Sequence, residues 1–157
     1  MKQSPELQKA QESMRPGVIT LQGFLGTDDR NLIDILIEDN GAVKRIGHTN
    51  EGIASRMEEL RDAGKKGLGE FTPVGDHFDV RVESVRGKLP SPFGGPGLHG
   101  KINTTVRNNR INKTVVFSDL HIHLIKAHGF YQGRGSRFRL DPSTLVEVLE
   151  IEAEDTT

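Results

Sequence analysis

The sequence predicts an α+β domain: an antiparallel sheet of about four strands with helices packed mainly on one face. Three observations carry that expectation. Helix-period segments fill the first part of the chain, strand-period segments the middle, and helix signals return toward the end. Strand and helix do not alternate regularly, which argues against a parallel doubly wound sheet. A length of 157 residues suits one domain with a real core, and no repeat or composition break divides it, so residues 1–157 are expected to fold as one unit.

Residues 4–14 read as a short helix, with Ser4 as cap, Pro5 in the first turn, and Leu7, Ala10 and Met14 on one face; residues 1–15 form a helical arm in this reading. "GVITLQGFLG", residues 17–26, alternates approximately and is expected to be extended. "TDDRNLIDILIEDNG" follows with Thr27 as cap, acidic residues in its first turn, and Leu32, Ile33, Leu36 and Ile37 on one stripe. A hairpin turning at Asn40 and Gly41 is the competing reading. The next helix is capped by Thr49, buries Ile53, Met57 and Leu60, and stops at Gly64 or Gly67.

In "HFDVRVESV" Phe78, Val80 and Val82 alternate with Asp79, Arg81 and Glu83, the pattern of a strand with one wet face. "GKLPSPFGGPGLHG" is too rich in breakers for any element. "KINTTVRNNRINKTVVF" reads as a hairpin turning near Asn108 and Asn109, because asparagine tolerates the positive φ such turns require. A last helix starts at Asp141 with Pro142 in its first turn, and residues 152–157 are expected to be a flexible acidic tail.

An apolar fraction of 34% and a charged fraction of 27% describe an ordinary soluble chain. Without cysteine there is no disulfide, no thiolate nucleophile and no cysteine-held metal. No stretch approaches the ~20 apolar residues of a membrane span, and the start lacks a secretory core, so no membrane is expected and the cytoplasm is the expected location.

The formal net charge is −1, but it is unevenly placed. Eight Lys or Arg stand between Lys101 and Arg139 against the single Asp119, and six acidic residues follow from Leu140 onward. Within the basic run, "GFYQGRGSRFRL" offers Arg134, Arg137 and Arg139 as planar forks for phosphate oxygens, with glycines leaving backbone N–H groups open to an anion. Tyr131, Phe130 and Phe138 can stack on bases. The leading expectation is therefore a binding domain for a phosphate-bearing ligand or nucleic acid, needing no cofactor. In the bland alternative the aromatics are core anchors and the arginines pair with Asp141, Glu147 and Glu150.

The stretch 118–129 admits two backbones. Ser118 and Gly129 fit the caps of a helix, in which His121 and His123 stand about 200° apart and cannot share a metal. As a strand it would project Asp119, His121 and His123 together, at spacings suited to a divalent ion that activates water.

"TVVFSDLHIH" resembles the first motif of the calcineurin-like metallophosphoesterases, where an apolar strand delivers an Asp-x-His pair, here Asp119 and His121, to a two-metal centre. "GHTN", residues 47–50, resembles that family's Gly-His-x-His motif, with Asn50 in place of the second histidine. The resemblance covers about fifteen residues, reverses the family's motif order and lacks its Gly-Asp and Gly-Asn-His motifs. It implies a metal-dependent hydrolase. A third reading, a homodimer working through protein contacts, has no marker in the sequence.

Overall fold

The alternating apolar residues in the middle of the chain build one antiparallel sheet. A computed structural model describes residues 2–152, and its strands β1 (Thr72–Val74), β2 (Phe78–Leu89), β3 (His99–Asn108) and β4 (Lys113–Ser118) lie in the order β1-β2-β3-β4. The fold is α+β. Among the described residues five α-helices accompany the sheet: α1 (Pro5–Ser13), α2 (Leu32–Arg45), α3 (Asn50–Gly64), α4 (Asp119–His128) and α5 (Pro142–Leu149).

Period-two patterning sets the register. Val80 opposes Val106, which opposes Val115, while Glu83 opposes Asn103, which opposes Ser118. Phe78, Val80, Val82, Val106, Val115 and Phe117 are buried in one core with residues of α3, α4 and α5. A second cluster joins Ala10 and Met14 to Leu32, Ile35, Phe24 and Phe130. Helix α4 belongs to both, giving Ile122 and Ile125 to the first and Leu120 and Leu124 to the second. Each fully buried Leu or Ile there contributes about 1.5–3 kcal/mol of transfer free energy, enough to fix the helix on two sides.

Local chemistry explains where the sequence reading and the fold part. Met14 is fully buried, so α1 is docked against α2 rather than standing off as an arm. Residues 17–26 form turns, not a strand: Gly17 N–H donates to the Thr20 carbonyl, Gly23 N–H donates to it as well, and both glycines have positive φ. Helix α2 starts after Asn31 instead of Thr27. The Thr27 N–H donates to the Arg134 carbonyl, and the Asp28 carboxylate is taken by Arg30, whose guanidinium holds it well below the usual carboxylate range. The helix runs through Asn40 and Gly41 to Arg45, which excludes the hairpin.

The hairpin of β3 and β4 turns over residues 109–112, and Asn112 carries the positive φ. Asn108 instead is a buried strand residue, its amide donating to the Val148 carbonyl and to Glu150 at 3.0 Å each. The Pro- and Gly-rich loop is shorter than expected, because β2 extends to Leu89 and β3 begins at His99. Of the predicted acidic tail, residues 153–157 lie outside the described residues. Among the described residues no helix is long and apolar enough to cross a membrane.

Candidate functional site

Helix α4 decides the histidine chemistry. Ser118 caps it, its hydroxyl accepting the His121 N–H at 3.2 Å, while Nδ1 of His121 accepts the Ser118 N–H at 2.9 Å. A histidine thus completes a capping box usually closed by Glu or Gln. An N–H can only donate, so Nδ1 is unprotonated and Nε2 carries the proton, donating it to the Phe138 carbonyl at 3.0 Å. Burial pushes the His121 pKa down to about 4, and the ring is neutral at pH 7.

The expected metal triad does not assemble. Asp119 pairs with Arg61 at 3.3 Å, His121 is locked in its cap, and His123 points elsewhere, its ring 4.3 Å from that of His99. Helical rather than extended backbone separates them. His123 also meets His128 at 5.7 Å, and Phe93 stacks on His128 at 4.0 Å. Burial, and then the neighbouring imidazoles, lower the pKa of His123 and His128. Among the described residues no group of three His, Asp or Glu is arranged to hold a metal ion.

The motifs that resembled a metallophosphoesterase therefore do structural work. Thr49 caps α3, and Asn50 accepts a hydrogen bond from the Tyr131 hydroxyl at 2.7 Å while donating to Asn40. Asn40 donates in turn to the Gly129 carbonyl at 3.0 Å. A Cβ on Gly129, whose φ is +61°, would lie 2.4 Å from Asn40 Oδ1, so only glycine both caps α4 and admits this network.

The arginine loop divides in the same way. Tyr131 is fully buried and does not reach a ligand surface; burial raises the pKa of its hydroxyl. Arg139 makes two bonds to buried Asp39, at 3.0 and 2.9 Å, and a third to the Gln132 carbonyl at 2.8 Å. Arg134 pairs with Glu38 on the surface, and its N–H donates to Asp28 at 3.0 Å. The bland alternative placed one partner and misplaced two: Asp141 lies 3.8 Å from Arg139, but Glu147 holds Lys113, and Glu150 accepts from Asn108 and meets His77 at 2.7 Å. Nor does Gly133 serve an anion cradle. Gly133 N–H donates to the Phe24 carbonyl, and a Cβ at Gly133 would lie 2.3 Å from the Leu25 carbonyl oxygen, so the residue answers to close chain packing.

Arg137 differs from its neighbours. Its guanidinium lies 5.8 Å from the Phe138 ring, and among the described residues no carboxylate pairs with it. Five of the eight basic residues in the run (Arg110, Lys113, Lys126, Arg134 and Arg139) have carboxylate partners. Lys101, Arg107 and Arg137 have none among the described residues, and Arg107 packs on Phe71 at 4.5 Å.

The two remaining cations line adjoining cavities. One, of about 640 Å³, runs beside the outer edge of β4 and is lined by Arg137, Thr105, Thr114 and Val116, with Glu83 and Asp141 also on its wall. The other, of about 390 Å³, is lined by Lys101, Leu21, Phe24, Val85 and Leu89. Asn103, Ser118, His121 and Phe138 line both, so the two cavities share a wall to which Phe138 contributes its ring. The Asn103 side chain has no hydrogen-bond partner among the described residues.

Sequence reasoning reached Arg137 and Phe138 but missed Asn103, Leu21 and Val85. Alternation in β2 and β3 already put Val85, Lys101 and Asn103 on the wet face, a signal that needed the pairing register to become a site. No family model matches the chain, nor does any curated protein or solved structure.

Proposed function

We propose that the protein is a binding domain for a small phosphate-bearing ligand, held in the double cleft around Phe138 with Arg137 as its anion contact. One observation carries the reading: the unmatched polar groups Arg137, Lys101 and Asn103 converge on adjoining cavities, while most of the surrounding basic run is neutralised by carboxylates. An unpaired guanidinium facing a cleft gives a charge-assisted, bidentate site for phosphate oxygens. The pairing of Arg110, Arg134 and Arg139 favours a compact anion over nucleic acid, because a long polyanion gains affinity from many unmatched cations along its path. We take the setting to be the cytoplasm, where phosphate esters abound.

Calorimetric titration with inorganic pyrophosphate tests this reading. Arg137→Gln should weaken binding by about tenfold or more, the scale of one charge-assisted contact. Arg134→Gln should leave it nearly unchanged. Equal affinity for wild type and Arg137→Gln would overturn the assignment.

A further inference from the structure

We infer that the ligand is a phosphate ester of a flat heteroaromatic group, a nucleoside monophosphate or close analogue; this rests on the phosphate reading above. Arg137 stands in the first cavity, which Arg139, Glu83 and Asp141 also line, while the neighbouring one is walled by Leu21, Phe24, Val85 and Leu89, so the cleft presents a charged site and a more apolar site side by side. Inorganic phosphate would use only the first. Leu21 is 86% exposed and Val85 53% exposed at that second site, apolar surface that a bound ring would cover. The volume of about 390 Å³ is of the size that small organic ligands fill.

Two side chains select a flat heterocycle over an alkyl chain. Phe138, 46% exposed between the cavities, offers a ring face for stacking, and Arg137 beside it adds a cationic plane. Asn103 presents an amide donor and an amide acceptor to both cavities with no partner among the described residues. That pair matches the edge of a heterocycle carrying a ring nitrogen beside an exocyclic amine, or a carbonyl beside a ring N–H. An alkyl chain would leave the amide unused.

The test is a set of calorimetric titrations with the four common nucleoside monophosphates, ribose phosphate and inorganic phosphate. At least one nucleotide should bind about tenfold or more tightly than ribose phosphate. Asn103→Ala should erase the differences among the four bases, and Val85→Ser, a neutral change at an exposed position, should weaken the nucleotide more than inorganic phosphate. If ribose phosphate binds as tightly as every nucleotide, the heteroaromatic inference falls and the phosphate reading stands. If none of the six compounds binds, both fall.

Discussion

The backbone N–H of Ser118 donates to Nδ1 of His121 across 2.9 Å, and this bond fixes both a helix start and the state of the imidazole. The opposite nitrogen then holds the Phe138 carbonyl, so the cap of α4 also anchors the segment that carries Arg137 and Phe138. Ser136 donates to the Gln132 side chain at 2.8 Å, a further tie within the loop. His121 is thus a positioning residue for the cleft.

His121→Ala should destabilise the protein by about 2–4 kcal/mol, the sum of a cavity and buried polar groups left unpaired. His123→Ala, on the partly exposed side of the same helix, should cost under about 1 kcal/mol. Urea unfolding of the two variants checks the contrast; equal costs would contradict the roles assigned to them.

Acid should weaken the fold through the same residue. With its folded pKa near 4 and an unfolded value near 6.5, His121 binds more protons in the unfolded chain between those limits, so stability falls as pH drops through that window. The loss is on the order of 3 kcal/mol once pH passes below 4. His123 and His128, also lowered, act in the same direction. Denaturation midpoints measured from pH 7.5 downward should slope this way, and the slope should shrink in a His121→Asn variant that still folds.

Arg139 and Arg134 should separate cleanly. Arg139→Met leaves Asp39 buried without its partner and should cost about 3 kcal/mol or more. Arg134→Ala removes a pair at the surface and should cost under about 1 kcal/mol. Thermal unfolding distinguishes them, and a large effect at Arg134 would mean that the loop is held differently.

Gly133→Ala should destabilise by about 1–3 kcal/mol, since its Cβ would meet the Leu25 carbonyl oxygen at 2.3 Å and backbone must move. A neutral outcome in chemical denaturation would show that the two loops do not approach so closely.

Much of the fold was legible because local rules and packing agree. Ser4, Thr49, Ser118 and Asp141 were read as caps, and each accepts the expected N–H. The alternation at Phe78–Glu83 gave the strand and its buried face. What escaped depended on distant partners. Thr27 looks like a cap, but its N–H is taken by Arg134, far along the chain. Asn108 looks like a turn residue, but burial against α5 keeps it in the strand while Asn112 turns. The arginines posed the same problem, because sequence supplies their charge without their partners. Asp39 and Glu38 come from a helix about a hundred residues earlier, and only once those pairs are drawn does Arg137 stand apart.

The most direct test of the central claim is an NMR titration of the protein with inorganic phosphate, following the Arg137 Nε–H and Asn103 side-chain amide signals beside those of Arg134 and Arg139. The account predicts saturable shifts at Arg137, Asn103 and the Phe138 amide, with Arg134 and Arg139 unmoved. Shifts confined to Arg134 and Arg139, or none at any of the four side chains and the Phe138 amide, would contradict it.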